Sequence, residues 1–279
     1  HLIKLGEYIG ELKFNQIIFR GITQKHQSLL EGIKKCNPKA QIIYLHAGPS
    51  SEFLSKEKQE QLLFIQKACA NKLIDKVGTN KKGLSNTIST LLNAPCFHYI
   101  MKSTNISLKT NTFNKDFRTP KIGVFGNNGF NKNTATQITA ALGISNSEVH
   151  TLKKEHFEFF KQFNVIQHAT PIPHQEFIEL ISQMSLNYYL SFSETWGHVI
   201  LESLSCGVPC LATNTSGIFD YDEKLKSYLE VIDYDNIEAI QKQTYTVLEN
   251  YAEIKDLGLI YVNKINEISD KILNEILYS

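Results

Sequence analysis

The sequence predicts an α/β protein with two Rossmann-like domains, the first of them incomplete. Short apolar runs that suit buried strands alternate with longer amphipathic segments that suit helices, which is typical of a parallel sheet covered by helices. The alternation stops in a polar stretch at residues 101–119 and then starts again. This division predicts one domain at residues 1–115 and another at residues 116–279.

The first series of elements opens with a strand-like run at residues 15–19. A helix is predicted over residues 23–35, because apolar residues recur at helical spacing behind the candidate N-cap Thr23. The rest of this domain is predicted as a strand, two helices and a strand, at residues 41–45, 58–72, 85–92 and 96–100.

The second series starts with a strand at residues 121–126, followed by a helix at residues 134–142. Further apolar runs predict strands at residues 148–152, 164–166, 188–192, 210–213 and 228–232. Helices are predicted between them, one at residues 175–184. Residues 237–277 are predicted to be helical, with breaks near Tyr251 and Gly258.

The opening of the first domain departs from the usual Rossmann-like pattern. A strand followed by a glycine-rich turn is missing ahead of the first helix, and residue 1 is His and not Met. We therefore expect a fragment that lacks its first strand or two.

Charge is distributed unevenly along the chain. Residues 1–115 contain 17 Lys and Arg against 7 Asp and Glu, whereas residues 116–279 contain 12 against 21. A basic half suggests an anionic partner, either a membrane surface or a phosphorylated lipid, although lysine-rich helix faces exposed to solvent explain the charge as well. Nucleic acid is not expected, because no nucleic-acid-binding motif is found and the basic residues lack interleaved aromatic residues.

Cysteine usage and hydropathy indicate the compartment. The five cysteines are scattered and odd in number, which favours a reducing environment. Cys206 and Cys210 form a lone C-x3-C and are interpreted as structural thiols, not metal ligands. No apolar run of membrane-spanning length and no signal-peptide pattern is present. We expect a soluble, cytoplasmic protein.

The segment at residues 191–217 carries the clearest functional pattern: strand, loop, helix, glycine stop, proline and strand. Gly197 allows a tight turn into the helix, and Gly207 suits the left-handed position that ends it. Free backbone N–H groups and the positive helix end then point to the carboxyl edge of the sheet. Ligands bind at this edge in open α/β sheets, and such N–H groups favour a diphosphate.

Two carboxylates frame this loop, Glu194 before the helix and Glu202 inside it. A carboxylate can accept hydrogen bonds from two vicinal hydroxyls, such as those of a ribose or a hexose. The alternative is that Glu194 is a capping acid and Glu202 a solvated helix residue. Their occurrence together with the glycine and the helix stop favours the binding role.

The spacing E-x7-E followed by L-x-x-G-x-P, from Glu194 to Pro209, resembles the donor-site signature of retaining glycosyltransferases with the GT-B fold, especially family 4. Residues 173–177 and 188–193 resemble the segment before this signature, and residues 215–217 resemble the turn after it. The resemblance covers about residues 120–235. Residues 1–115 match only in architecture.

The resemblance implies a role for each matching residue. Glu202 would hold the ribose hydroxyls of the nucleotide, and Glu194 would contact the transferred sugar. Lys132 would neutralise the diphosphate, whereas the position of a second cation, an arginine in many relatives, is taken by Asn127 or Asn128. The donor-binding residues implied in this way are Lys132, Thr195, Trp196, Gly197, His198, Val199, Glu202 and Gly217.

Histidines are the remaining candidates. His46 follows a predicted strand and resembles a histidine that faces the donor sugar, so it joins Glu194 as a predicted catalytic residue; the alternative is a histidine of a surface turn. His168 and His174 are predicted to have local structural roles. The side chain of Trp196 could stack on a sugar or fill the core.

The function that follows is transfer of a sugar from a nucleoside diphosphate sugar to a hydroxyl acceptor, with retention of anomeric configuration and without a metal or other cofactor. The acceptor is expected to be a lipid-linked or surface glycan in glycan, lipopolysaccharide or capsule synthesis, part of whose site would be lost with the missing strands. Peripheral contact with the inner membrane face is expected through the basic half. The alternatives are a non-catalytic GT-B partner subunit that binds a nucleotide-sugar, a nucleotide-sugar epimerase, and a phosphorylase.

Overall fold

A computed structural model describes residues 1–103, 117–126, 129–153 and 155–278. The chain forms two compact units, one of His1–Met101 with Ser269–Ser279 and one of Lys102–Ile268. The domain boundary predicted between residues 115 and 116 lies outside the described residues, so it stays a prediction. The described part of the chain contains no helix that is both long and apolar enough to cross a membrane.

The first unit is built on four parallel strands, in the order β1-β2-β3-β4, within the described residues. The strands are β1 (Gln16–Arg20), β2 (Gln41–His46), β3 (Lys76–Thr79) and β4 (Cys96–His98). The helices are α1 (Leu2–Glu11), α2 (Gln27–Cys36), α3 (Lys56–Ala70) and α4 (Leu84–Leu92), with short 3-10 helices at Gln24–His26 and Ser50–Leu54. Helix α1 and strand β3 were not predicted. Strand β3 has only four residues, and two of them are polar.

The predicted helix at residues 23–35 begins later than expected. Thr23 is the N-cap of the short 3-10 helix Gln24–His26, and its backbone N–H donates to His26 Nδ1 at 3.1 Å. The α-helix then starts at Gln27, and its buried face contributes Leu30 and Ile33 to the core.

The second unit contains a parallel sheet of five strands in the order β7-β6-β5-β8-β9, counted over the described residues. The strands are β5 (Lys121–Val124), β6 (Glu148–Leu152), β7 (Val165–His168), β8 (Leu186–Tyr189) and β9 (Cys210–Ala212). The helices are α5 (Thr134–Leu142), α6 (His174–Ser182), α7 (His198–Ser205), α8 (Glu223–Leu229), α9 (Ile237–Glu249) and α10 (Tyr251–Tyr278), with 3-10 helices at Phe130–Lys132 and Glu155–Gln162.

Two predictions for the carboxyl part of the chain are wrong. The strand expected at residues 228–232 does not form: its first two residues end helix α8, which Asp222 caps by accepting from the N–H of Leu225 at 2.9 Å. Only an isolated bridge between Ala212 and Glu230 remains of the expected pairing. The break near Gly258 does not occur, and α10 is continuous through this residue. The glycine allows α10 to approach the Leu204 side chain closely, since a Cβ there would meet Leu204 Cδ2 at 2.9 Å.

Strand order reverses between β5 and β8 in the second sheet. The chain adds β6 and β7 on one side of β5 and then crosses to place β8 and β9 on the other side. Val124 at the end of β5 is the register partner of Tyr188 in β8. Ligands of open α/β sheets bind at the carboxyl ends of the strands that flank such a reversal. The predicted fold class, α/β with Rossmann-like parallel sheets, is confirmed.

Candidate donor site

Two loops at the carboxyl edge of the second sheet are hydrogen-bonded to each other. One follows β5 and ends in the 3-10 helix Phe130–Lys132, and the other, residues 190–197, follows β8. The N–H of Phe192 donates to the carbonyl of Asn131 at 2.8 Å, and the Asn131 amide donates back to the carbonyl of Ser193 at 3.1 Å. These two bonds hold Lys132 and Glu194 side by side, although they are far apart in sequence.

Lys132 and Glu194 form a buried ion pair. The Lys132 ammonium contacts Glu194 Oε2 and lies 3.0 Å from the hydroxyl of Tyr189, and the side chains of the pair are only 9% and 13% exposed. The Tyr189 hydroxyl donates to the same carboxylate oxygen at 2.8 Å, and the N–H of Thr195 donates to Oε1 at 2.9 Å. The carboxylate predicted to contact the transferred sugar is thus firmly held.

The environment keeps the Glu194 carboxylate ionised. Burial raises the pKa of Glu194, but the Lys132 charge and the hydrogen bonds from Lys132, Thr195 and Tyr189 outweigh it and lower the pKa below its usual value. Burial and the adjacent Glu194 charge raise the pKa of Tyr189 far above its usual value, so this hydroxyl stays protonated and donates.

Gln137 in helix α5 bonds to both loops through its side-chain amide. This role was not predicted. Its amide nitrogen donates to the carbonyl of Lys132 at 2.6 Å, and its amide oxygen accepts from the N–H of Leu190 at 3.0 Å. The side chain is buried. A glutamine inside a helix carries no sequence signal of such a role, because it only becomes evident once β5 and β8 are neighbours.

Helix α7 begins next to this ion pair. Gly197 is the N-cap with φ +87°, in the left-handed region that favours glycine, and as a glycine it has no side chain to cap the helix. His198 at the first helical position is exposed, and Val199 is half-buried. The predicted glycine turn into the helix is confirmed.

A second carboxylate of the site, Glu202, is paired with His174. His174 Nε2 lies 2.9 Å from Glu202 Oε1, and Glu202 is only 8% exposed. A solvated helix residue is therefore the wrong alternative for Glu202. His174 was assigned a local structural role, but the first turn of α6 places it against the carboxylate that the resemblance assigns to ribose.

Trp196 and Gly217 have structural roles next to the loop of residues 190–197. Trp196 is only 1% exposed, so of the two roles left open for its side chain the structure gives the core role. Its carbonyl accepts from the Ser216 hydroxyl at 3.1 Å. Gly217 has φ +78° and donates its N–H to Asn214 at 3.0 Å, which closes a turn after β9.

His46 belongs to the first unit. It is the last residue of β2, is only 7% exposed, and burial lowers its pKa, so that the imidazole is neutral at neutral pH. The alternative of a surface turn histidine is therefore wrong. Asn127 and Asn128, the positions of the missing arginine, lie outside the described residues. Among the residues that the structure covers, no three His, Cys, Asp or Glu side chains are grouped as metal ligands.

Two parallel sheets of the Rossmann-like type, with a loop site at the switch point of the second, fit the GT-B fold. Residues 136–258 match the sequence model of the family described as "Glycosyl transferases group 1". This segment contains Glu194, Glu202 and helix α7, so the resemblance predicted from the E-x7-E spacing is confirmed. No curated protein matches the chain in sequence.

Solved structures of glycosyltransferases resemble the chain over nearly its whole length. Sucrose-phosphate synthase from Thermosynechococcus elongatus matches with a TM-score of 0.70 and 12% identity, over 99% of this chain and 77% of its own. WaaG, described as a glycosyltransferase involved in lipopolysaccharide biosynthesis, matches with a TM-score of 0.61 and 12% identity, over 88% and 78%. A trehalose-6-phosphate protein from E. coli bound with UDP-2-fluoro glucose matches at 0.68 and 8%, over 98% and 76%. At these identities the likeness establishes the fold alone.

Proposed function

We propose that this protein binds a nucleoside diphosphate sugar at the carboxyl edge of its second sheet and transfers the sugar to a hydroxyl acceptor. The observation that carries the proposal is the buried Lys132–Glu194 pair, which two hydrogen-bonded loops hold beside the start of α7. The family match of residues 136–258 supports it, as does a structural neighbour described with a bound UDP-sugar analogue.

Each group in this site has a role in the proposal. Glu202, oriented by His174, accepts hydrogen bonds from the ribose hydroxyls. Glu194 contacts the transferred sugar, and the backbone N–H groups of residues 196–199 bind the diphosphate.

Lys132 contributes one donor to the diphosphate. A lysine ammonium has three N–H donors, and Glu194 and Tyr189 occupy two of them. The third can therefore reach a phosphate oxygen while the ion pair persists. Because Glu194 already balances its charge, the N-terminus of α7 has to supply a larger share of the stabilisation of the leaving diphosphate.

The reaction is proposed to retain the anomeric configuration and to need no metal, with the leaving phosphate accepting the proton of the incoming hydroxyl. The sugar acceptor is proposed to be a lipid-linked or surface glycan handled at the cytoplasmic face of a membrane, in glycan, lipopolysaccharide or capsule synthesis. The basic half of the chain supports this setting. An NMR spectrum of the product tests retention directly, since an inverted anomeric centre would exclude this route.

A thermal-shift series tests donor binding. UDP, GDP, ADP and their common sugar conjugates are compared on the wild type, on Glu202→Ala, and on Glu238→Ala, an exposed carboxylate at the start of α9. A ligand that binds only the folded state raises the melting temperature by mass action. We expect one nucleotide to stabilise the wild type and Glu238→Ala but not Glu202→Ala. Stabilisation by no nucleotide, or equal stabilisation of all three proteins, would exclude the site.

One observation favours a second candidate, a non-catalytic subunit that binds a nucleotide-sugar. The arginine position is taken by asparagine, and the remaining cation Lys132 is already paired with Glu194, which lowers the positive charge available to a leaving diphosphate. Release of nucleoside diphosphate from the stabilising donor distinguishes the two. Binding without any release, with or without candidate acceptors, would favour the subunit.

A further inference from the structure

Asn187 is a buried polar residue in an inner strand of the second sheet. It belongs to β8, its exposed fraction is 0%, and its register partners are Gly123 in β5 and Cys210 in β9. Inner strands of a parallel sheet are buried on both faces and are usually apolar throughout. An amide at this position therefore indicates a role other than filling the core.

The Asn187 side chain bonds to both helices that carry the His174–Glu202 pair. One amide N–H donates to the carbonyl of Ile181 in α6 at 3.3 Å, and the other donates to the hydroxyl of Ser203 in α7 at 2.8 Å. The Ser203 hydroxyl donates in turn to the carbonyl of residue 208, just beyond α7, at 2.8 Å. One side chain thus connects β8, α6 and α7.

Both anchor points are well placed to orient the donor-site residues of these helices. Ser203 directly follows Glu202, so a bond at Ser203 constrains the rotation of α7 and with it the direction of the Glu202 carboxylate. Ile181 comes about two turns after His174 and therefore lies on the same side of α6. The two bonds together constrain how His174 Nε2 meets Glu202 Oε1 at 2.9 Å.

This arrangement is unfavourable for stability. Asn187 Oδ1 is buried without a hydrogen-bond partner among the described residues, and it lies against Gly123, where a Cβ would meet it at 2.2 Å. Turning the amide over would not help, because the Ile181 carbonyl only accepts and the Ser203 hydroxyl already donates elsewhere. A buried acceptor without a partner is costly, so an apolar residue would suit stability better.

We propose that Asn187 is a positioning residue of the donor site, which holds α6 and α7 so that His174 meets the Glu202 carboxylate. The inference rests on the proposed function and deepens it, because it extends the donor site to a residue that is too buried to touch the nucleotide-sugar. Asn187 acts through Ser203 and through the carbonyl of Ile181.

Two variants separate this role from general packing. Asn187→Val removes the amide with its unpartnered oxygen and leaves a β-branched residue that suits a strand. We expect it to melt no lower than the wild type. Ser203→Ala removes only the link to α7, and because alanine suits a helix it carries the test even if Asn187→Val does not fold.

Tyr188→Phe is the matched control. Tyr188 is the next residue of β8 and faces the other side of the sheet, where its hydroxyl lies 2.5 Å from that of Thr244 in α9. The control therefore removes a buried bond between the same strand and a helix to which no donor-site residue belongs.

The imidazole ¹⁵N signals of His174 report its contact with Glu202 in the absence of any nucleotide. Their loss in His174→Gln assigns them, and Glu202→Ala gives their positions without the contact. We expect both Asn187→Val and Ser203→Ala to move the signals toward those positions. Tyr188→Phe should leave them unchanged. Signals that stay at the wild-type positions in both variants would overturn the proposal.

Calorimetric titration with UDP, GDP and ADP measures the consequence for binding. We expect the nucleotide that binds the wild type to bind Asn187→Val and Ser203→Ala about fivefold more weakly, about 1 kcal/mol, the typical net contribution of one hydrogen bond. Tyr188→Phe should keep the wild-type affinity. Wild-type affinity in both variants, or an equal loss in Tyr188→Phe, would overturn the role of Asn187. If no nucleotide binds the wild type, the proposed function fails, and the His174 signals still decide the role of Asn187.

Discussion

At the scale of single residues, Lys132 and Glu194 belong to the proposed donor site and also form a buried ion pair, so their replacement should change stability. Removing one member of a buried pair leaves the other charge without compensation. We expect Lys132→Met to lower the free energy of unfolding by about 3–5 kcal/mol, and the double variant Lys132→Met/Glu194→Gln to regain much of that loss. Urea denaturation measures both.

The exposed pair of Lys224 and Glu253 is the control for this comparison. Surface ion pairs contribute little because solvent screens them, so Lys224→Met should leave the unfolding midpoint almost unchanged. A Lys132→Met protein as stable as the wild type would contradict the expected cost of leaving Glu194 buried without its cation.

The contact of His174 with Glu202 leads us to expect that His174 affects donor binding by orienting the Glu202 carboxylate. Its loss should let the Glu202 carboxylate turn away from the ribose, so we expect His174→Ala to bind the stabilising nucleotide about tenfold more weakly, about 1.4 kcal/mol. His174→Gln keeps a side-chain N–H donor and should retain most of the affinity. Calorimetric titration measures both variants, and equal affinities of His174→Ala and wild type would contradict the positioning role.

At the scale of elements, the start of α7 depends on Gly197. A Cβ at this position would meet Ile200 Cδ1 at 2.7 Å and would add the strain of a left-handed backbone. Gly21 has a similar φ of +74° but nothing within 4 Å, so Gly21→Ala isolates the backbone term, about 1–2 kcal/mol. We expect thermal unfolding to show a larger loss for Gly197→Ala than for Gly21→Ala. Equal losses would mean that the contact with Ile200 is relieved at no cost.

Strands β6 and β7 are linked by a pair of histidines whose titration affects stability. His150 Nδ1 lies 2.9 Å from His168 Nε2, and His150 Nε2 lies 2.8 Å from Glu148. Burial lowers the pKa of both histidines below 6.5. Their contribution is present above the unfolded pKa and is lost as the pH falls through it, because the unfolded chain then binds protons that the folded chain does not.

We therefore expect the melting temperature to fall between about pH 7.5 and about pH 5.5, and to fall less in His168→Gln. His1→Gln, which changes an exposed histidine, should behave like the wild type. The same pH dependence in all three proteins would show that this pair does not govern acid stability.

At the scale of the whole molecule, the proposal assigns the stabilisation of the leaving diphosphate to the protein itself. In the proposed function, Lys132 and the backbone N–H groups at the start of α7 would supply the positive field that a divalent cation supplies in other transferases. We expect EDTA to leave the release of nucleoside diphosphate unchanged. Loss of this activity in EDTA, restored by Mg²⁺ or Mn²⁺, would show that a metal takes part.

Local patterns in the sequence predicted much of this molecule. The helix at residues 134–142 and the strand at residues 148–152 were predicted with their observed bounds, since their apolar periodicity is strong. Strand β3 was missed because its four residues resemble a loop until two neighbouring strands enclose it. Residues 228–232, which contain the end of α8 and the segment after it, were predicted as a strand because four of the five are aromatic, apolar or β-branched.

The sequence by itself determined the alternation of strands and helices, the glycine turn into α7, and the spacing of Glu194 and Glu202, because these are properties of neighbouring residues. Only the tertiary structure decided that Glu194 is held by Lys132 and Tyr189, that Glu202 lies against His174, and that Gln137 joins two loops. Lys132 lies 62 residues from Glu194, His174 lies 28 residues from Glu202, and Leu190 lies 53 residues from Gln137. They meet only because β5 and β8 become neighbours in the sheet and α6 packs beside α7, and no local pattern encodes those contacts.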